Sequence, residues 1–195
     1  MVAQNIQKRL SGEIGSMHYE FRGLTKDNRI INVEVFGNRT QFNREPAVIG
    51  SILDITTRKQ AERDLRLTQY AVDQSATAIF RIDPGARITY ANHAASRLLG
   101  YTKSELMSLT IPDIDPQWTK EFWEHQGLTM LRKNRVNHFE TGHVRKDGTH
   151  YPVEVLCYLA EFEEAEQYYV FFTDISARKR AEEEIRLTVV ISSWP

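Results

Sequence analysis

Residues 54–68 read DITTRKQAERDLRLT, and residues 174–188 read DISARKRAEEEIRLT. Each stretch starts with Asp-Ile-Thr or Asp-Ile-Ser, continues with a basic pair, and ends in an Ala-Glu run with helical spacing. The offset is 120 residues (174 − 54), and it also aligns Val33-Glu34-Val35 with Val153-Glu154-Val155 without a gap. Because an internal repeat identifies the structural unit of a chain, one unit is used here more than once.

The repeat predicts that the first copy is incomplete. Subtracting 120 maps residues 121–176 onto residues 1–56, so the counterpart of residues 71–120 would precede Met1. This is the arrangement expected of a fragment of a longer modular array, or of a chain cut inside a domain. We therefore expect the C-terminal half of a domain at 1–56, a linker helix at 57–74, a complete domain at 70–176, and the start of an outgoing helix at 177–195.

Composition limits the classes of function. The 195 residues are 41% hydrophobic and carry 25 basic and 26 acidic side chains, well mixed, for a net charge of −1. The sequence has no basic field, helix-turn-helix or zinc-finger pattern, which argues against nucleic-acid binding. The lone Cys157 excludes an intrachain disulfide and favours a reducing compartment. Since neither a signal segment nor a membrane-length apolar run is present, we expect a cytoplasmic location and no membrane span within this chain.

Hydrophobic alternation and turn residues predict an α+β fold. In the first copy, three strands are expected at residues 17–24, 29–36 and 46–55. In the complete copy, two strands near 78–82 and 87–90 precede several short helices and one long helix at 117–133. Three further strands follow, and Asp147-Gly148 is a strong hairpin turn between two of them. The prediction is a five-stranded antiparallel sheet with short helices on one face, flanked by helices.

Four stretches of the complete copy resemble the PAS family of sensory domains, often written PAS–PAC. They are Tyr90-Ala91-Asn92, LGYTKSEL at 99–106, RKDGT at 145–149, and Asp174-Ile175-Ser176 followed by Arg178-Lys179. The resemblance covers residues 70–190 and, as a half domain, residues 5–70. It implies a non-catalytic module that senses a small ligand or a partner in its core. Family members relay the change through helix packing to an effector, such as a histidine kinase or a diguanylate cyclase.

The Asp-Ile-Ser joint is the expected relay. Asp174 stands between the last strand and the outgoing helix, where its carboxylate can accept hydrogen bonds from the first helical turn. We expect it to pair with Arg178 as well. The residues assigned to signal relay are Asp54, Asp174, Ser176 and Arg178.

A mainly apolar pocket is expected between the sheet and the helices. Its candidate lining is Phe80, Tyr90, Tyr101, Trp123, His125, Leu128, Phe139, Val155, Cys157 and Phe171. By resemblance to haem-binding relatives, His125 is the candidate axial ligand, against the simpler interpretation of a surface histidine. A covalent flavin photocycle is not expected, because residues 107–112 (MSLTIP) lack the reactive Cys of light-oxygen-voltage sensors. No zinc template or catalytic constellation is present, so we expect no metal site and no enzyme activity.

An alternative stays open, in which the chain is a ligand-free dimerisation module with a filled core. A closed core packed by Phe80, Trp123 and Phe171 would favour it. We expect a homodimer through the helix at 57–74 and the sheet faces left open by the incomplete copy. Ala61, Leu65, Thr68 and Val72 recur in this helix at spacings of 4, 3 and 4, as in a coiled-coil seam, and an ordinary linker helix packed on its own domain is the alternative.

Overall fold

The computed structural model describes residues 7–8, 11, 15–163 and 165–192. The chain divides into two compact units, residues 1–69 and residues 70–195. The parts of the predicted domains at residues 1–6, 9–10, 12–14, 164 and 193–195 lie outside the described residues.

The first unit contains a three-stranded antiparallel sheet in the order β1-β2-β3. The strands are β1 (Ser16–Leu24), β2 (Ile30–Phe42) and β3 (Glu45–Asp54), and helix α1 (Thr56–Asp73) follows them. The three predicted strands are confirmed, but β2 continues six residues beyond the predicted end at residue 36. Pairing with β3 over the whole extension, and with β1 at Gly37 and Asn38, keeps this segment extended.

The second unit contains a five-stranded sheet in the order β5-β4-β8-β7-β6, and every neighbouring pair is antiparallel. The predicted fold class is confirmed. The strands are β4 (Ala78–Ile82), β5 (Ile88–Ala91), β6 (Val136–Val144), β7 (His150–Phe162) and β8 (Ala165–Asp174). The helices are α2 (His93–Leu99), α3 (Lys103–Leu106), α4 (Ile111–Ile114), α5 (Lys120–Phe122), α6 (Leu128–Asn134) and α7 (Ser176–Ser192).

The sequence repeat is also a repeat of strand pairing. Strands β6, β7 and β8 have the bounds of β1, β2 and β3 shifted by 120 residues. The register is the same too, since Val33 lies opposite Asp54 and Val153 lies opposite Asp174. Side chains alternate between the two faces of a strand, so equal register places equivalent residues on equivalent faces.

The long helix predicted at 117–133 is interrupted, and this prediction was wrong in detail. A π-helical turn, Trp123–Gly127, separates α5 from α6. Trp123 at its start and Leu131 in α6 are both buried. Gly127 is required here, because a Cβ at this position would lie 2.8 Å from the ring of Trp118.

The core of the second unit lies between one face of the sheet and helices α2 to α6. Asn92 is fully buried at its centre and caps α2. Its Oδ1 accepts hydrogen bonds from the backbone N–H groups of Ile79 and Ala95, each at 3.0 Å. Its Nδ2 donates to the carbonyl oxygens of Thr77 at 2.9 Å and Val72 at 3.2 Å. One side chain thus connects the last turn of α1, strand β4 and helix α2.

We predict that Asn92→Ala lowers the free energy of unfolding of the second unit by at least about 3 kcal/mol, because buried donors and acceptors lose their partners. Urea unfolding followed by tryptophan fluorescence measures this, since Trp118 and Trp123 are both buried in that unit. Asn38→Ala, at an exposed position of β2, is the matched control and should change stability by less than about 0.5 kcal/mol. Equal effects of the two variants would contradict the central role of Asn92.

Candidate functional site

A cavity of about 30 Å³ lies within the core of the second unit. Five of the predicted pocket residues line it: Phe80, Trp123, Phe139, Val155 and Cys157. The remaining lining residues are Ile82, Ile111, Asp115, Trp118, Leu131, His143 and Val170. The wall is therefore mainly apolar, with two adjacent polar side chains, which is the composition expected of a small-molecule site.

His125 does not line the cavity, so its expected position on the cavity-facing side of the helix is wrong. The side chain is exposed, and its Nδ1 lies 2.9 Å from the carbonyl oxygen of Glu121. Trp123 points into the core, and a residue two positions further along lies roughly 180° away around the helix. Leu128 packs against the core from its edge without reaching the cavity.

Phe171 is also misplaced by the sequence prediction. The inner face of β8 carries Tyr168, Val170 and Phe172, which are buried, while Phe171 lies on the opposite face. Aromatic and aliphatic residues occur at both phases of this central strand, so alternation could not identify the inner face.

Tyr90 and Tyr101 are half-buried and stand outside the cavity. Tyr90 lies near the Asp73–Lys103 ion pair, and burial followed by the nearby Asp73 carboxylate raises its pKa. Tyr101 packs at the edge of the core, with Lys146 Nζ 5.6 Å from its ring centre.

Sequence reasoning missed the polar end of the cavity, formed by Asp115 and His143. The Asp115 carboxylate accepts a hydrogen bond from Thr141 Oγ1 at 2.7 Å and another from the backbone N–H of Gln117 at 3.0 Å. His143 Nε2 lies 3.9 Å from Asp115 Oδ2, and His143 Nδ1 is buried without a hydrogen-bond partner. The alternation of β6, which places Phe139, Thr141 and His143 on one face, was the available signal.

Burial sets the protonation of the ionisable groups around the cavity. It lowers the pKa of His143 to about 4, so the imidazole is neutral near pH 7. Burial also raises the pKa of Asp115, although the hydrogen bonds from Thr141 and the backbone oppose this effect. The pKa of the Cys157 thiol rises to about 12 because the group is buried, which makes it a poor nucleophile.

The residues present do not fit haem. The candidate axial ligand His125 is exposed, and the cavity of about 30 Å³ is far smaller than a tetrapyrrole. The same volume is too small for a flavin ring system. Among the described residues, no group of three or more His, Cys, Asp or Glu side chains could hold a metal ion.

The joint between β8 and α7 is built on Asp174. Its Oδ1 accepts a hydrogen bond from the backbone N–H of Ser176 at 2.8 Å, as predicted for a helix start. Its Oδ2 pairs with Arg145 Nη2 at 2.8 Å, and the predicted pairing with Arg178 is wrong. Burial raises the pKa of Asp174, but the hydrogen bonds from Ser176 and the charge of Arg145 outweigh it and lower the pKa below its ordinary value.

Arg178 instead pairs with two sheet carboxylates. Its guanidinium lies 2.6 Å from Glu140 and 3.1 Å from Glu154. Arg178 is the third residue of α7, and its side chain extends over β6 and β7 rather than back to the joint.

The first unit reproduces this contact 120 residues earlier. Arg58 lies 3.7 Å from Glu20 and 3.1 Å from Glu34, and Asp54 Oδ1 accepts a hydrogen bond from the backbone N–H of Thr56 at 2.9 Å. A hydrogen bond from the Thr56 side chain, followed by this backbone bond, lowers the pKa of Asp54. The two helix starts are thus anchored by equivalent residues.

We predict that His143 makes folding less stable in mild acid. The unfolded state binds a proton near the ordinary pKa of 6.5, whereas the folded state binds it only near 4. Stability should therefore fall as the pH drops from about 6.5 to about 4, by about 3 kcal/mol in total. His143→Leu should remove this part of the pH dependence in urea unfolding. His138→Gln, at an exposed position, should keep it, and parallel pH profiles of wild type and His143→Leu would refute the assignment.

Among the residues described, no helix is both long and apolar enough to cross a membrane. No curated protein matches the sequence significantly. Solved structures do resemble the fold, at identities that support a likeness of fold alone. The PAS domain of an HTR-like protein from Haloarcula marismortui is 24% identical with a TM-score of 0.57, covering 61% of this chain and 98% of that chain.

Two further structures are similar. A PAS domain from a two-component sensor histidine kinase is 23% identical with a TM-score of 0.53, covering 59% of this chain and 99% of that chain. An RNA-binding light-oxygen-voltage receptor is 12% identical with a TM-score of 0.54, covering 97% of this chain and 86% of that chain. The sequence profile of the PAS domain family matches residues 75–177, slightly more than half of the chain. The chain therefore belongs to the PAS domain family.

Proposed function

We propose that this chain is a sensory signal-transduction module without catalysis of its own. A small ligand or a partner changes packing in the core of residues 75–177, and helix α7 carries the change to an effector. A histidine kinase or a diguanylate cyclase is the proposed class of effector, in a cytoplasmic parent protein. The similarity to a PAS domain of a sensor histidine kinase is consistent with this class. The domain boundaries inferred from the repeat, including a half domain at 1–56, are part of the proposal.

The observation that carries the proposal is a continuous set of contacts from the cavity to α7. His143 lines the cavity, and its ring meets that of Tyr151 edge-on with centres 6.1 Å apart. The guanidinium of Arg145 stacks on the Tyr151 ring, with its carbon 3.9 Å from the ring centre. Arg145 then pairs with Asp174, which accepts the hydrogen bond from Ser176 at the start of α7. A change at the cavity can therefore reach the helix through four side chains.

Arg145 is suited to this role because it makes three different interactions at once. Besides Tyr151 and Asp174, its Nη1 donates to the carbonyl oxygen of Leu98 in α2. A planar guanidinium fixes its partners more rigidly than an ammonium group would. Displacement of Tyr151 or of α2 would therefore reposition Asp174, and with it the first turn of α7.

The last turn of α1, which precedes β4, also contacts the core of the second unit. Asn92 bonds the carbonyl oxygen of Val72, and Lys103 pairs with Asp73 in the last turn of α1. Asn92 also caps α2, the helix whose Leu98 carbonyl is held by Arg145. We propose that α1 and α7 act on the same core from opposite ends of the chain, as a transmitter requires.

We predict that His143 and Arg145 are energetically coupled in the stability of α7. Hydrogen exchange of amides 176–187 should quicken about fivefold in Arg145→Met, since a partly buried ion pair such as Arg145–Asp174 contributes about 1 kcal/mol. On its own, His143→Leu should change the exchange of these amides. In a chain that already carries Arg145→Met, it should have little further effect. The difference between the two effects of His143→Leu should give a coupling energy of at least about 0.5 kcal/mol. Arg135→Met, which removes an exposed pair with Glu161, is the control and should be additive with His143→Leu. Additivity in both pairs would overturn the relay.

A second candidate function is dimerisation without a ligand, and the exposed apolar side chains favour it. No residue of α1 is buried, and Leu65 is 60% exposed. The equivalent Ile185 of α7 is 65% exposed. Phe80 and Trp123 do close most of the core, although Phe171, the third residue expected there, lies on the other face. We propose a homodimer through α1 under either function.

We predict that Leu65→Lys weakens or abolishes this dimer, because it places a charge in the apolar seam. Leu67→Lys is the matched control: Leu67 is similarly exposed, at 56%, but lies off the seam. Native mass spectrometry and light scattering measure the mass. A monomeric wild type, or equal loss in both variants, would exclude the α1 seam as the interface.

A further inference from the structure

The cavity has a built polar end whose hydrogen-bonding capacity is incompletely used. Asp115 is held by Thr141 and by the backbone of Gln117, so its position is set by the protein. His143 is held by packing, with its ring centre 5.0 Å from that of Phe172 and 6.1 Å from that of Tyr151. Its Nδ1 is buried and has no partner, and its Nε2 stands 3.9 Å from Asp115, beyond hydrogen-bond distance.

An imidazole in this state favours a particular kind of ligand. A neutral ring offers one N–H donor and one nitrogen acceptor, and leaving them unpaired in the interior is unfavourable. A ligand group that both donates and accepts, such as a hydroxyl or an amide, can satisfy either tautomer. The rest of the wall is apolar, including Phe80, Trp118 and Val155, so a charged molecule would lose its hydration without compensation. An anion would in addition approach the Asp115 carboxylate.

The volume limits the size of the ligand. A cavity needs about 10–15 Å³ by this measure to contain one water molecule. The cavity of about 30 Å³ thus accommodates about two waters, or an organic molecule of roughly two to four heavy atoms. A ligand this small binds weakly: at a ceiling of about −1.5 kcal/mol per heavy atom, three heavy atoms correspond to a dissociation constant of about 0.5 mM at best.

We propose that the cavity binds a neutral molecule of about two to four heavy atoms, whose hydroxyl or amide group hydrogen-bonds His143 beside Asp115. The apolar part of the molecule packs against Trp118, Phe80 and Val155. This inference rests on the proposed sensory function and names the chemical class that the core would sense. Contact with His143 would place the ligand at the first member of the relay to α7.

The test uses three probes of similar size and different charge: ethanol, acetate and ethylammonium. Each is titrated into the isotopically labelled full chain, and backbone and indole N–H shifts are followed by NMR. Ethanol should give saturable shifts at residues around the cavity, including the indole N–H of Trp123, which donates to the carbonyl oxygen of Pro84. Acetate and ethylammonium should not produce those shifts. No saturable response to ethanol up to about 200 mM, or an equal response to a charged probe, would overturn the inference.

Variants separate recognition by His143 from simple cavity filling. His143→Leu should weaken ethanol binding about three- to tenfold, the loss expected for one neutral hydrogen bond. Val170→Leu, which fills the cavity and keeps His143, should abolish the shifts. His138→Gln lies on the outer face and should bind as wild type does. If His143→Leu does not fold, the Val170→Leu and charge series still decide the outcome. Unchanged binding in either cavity variant would show that ethanol binds elsewhere and would refute the site.

The two proposals fail in different ways. Ethanol binding at the cavity without any change in hydrogen exchange of α7 would remove the relay and leave the ligand class intact. Coupling between His143 and Arg145 without ethanol binding would keep the relay and remove this ligand class. The ligand inference would also be overturned if the cavity contains only water. In that case, magnetisation transfer from buried water to the protein would persist unchanged when ethanol is added.

Discussion

The second unit depends on keeping one face of strands β6, β7 and β8 out of water. Helices α2 to α6 cover this face, and β4 pairs with the edge of β8. Phe172 of β8 is consequently 1% exposed, whereas the equivalent Ile52 of β3 is 73% exposed. Burial of one such side chain contributes about 1.5–3 kcal/mol. The same three-stranded pattern is therefore closed over a core in one unit and leaves large apolar side chains exposed on β3 in the other.

The cover also determines what kind of site the core can be. Trp118 from the loop before α5 and Trp123 from the π-helical turn fill most of the space above the sheet, which leaves a small cavity with Asp115 and His143 at one end. Gly127 in the π-helical turn makes this packing feasible, because a Cβ at that position would lie 2.8 Å from the ring of Trp118. A core filled in this way suits a small sensed molecule or a mechanical transmitter better than it suits a bulky cofactor.

Comparison of the two helix starts shows which contacts are general and which are particular to the second unit. The aspartate that accepts the first helical N–H and the arginine on two sheet glutamates occur in both. Arg145, which pairs with the joint in the second unit, has no equivalent arginine in the described part of the first unit, because the residue 120 positions earlier is Thr25. We interpret the shared contacts as the anchor of the helix, and the Arg145 contacts as the connection through which core and helix would influence each other.

Sequence alone predicted the repeat, the fold class, the strands and the Asp-Ile-Ser joint, because these depend on local patterns: alternation, turn residues and helix caps. It also placed Phe80, Trp123, Phe139, Val155 and Cys157 around one space. It misplaced His125 and Phe171, and it paired Asp174 with Arg178 instead of Arg145. The exposure of His125 depends on which side of the helix it occupies, and that of Phe171 on a strand that is apolar on both faces. The partner of Asp174 depends on a contact between residues distant in sequence. Asp115 and His143 are 28 positions apart in the chain (143 − 115) and come together only when the loop before α5 packs on β6. Only the tertiary structure could therefore decide that they meet.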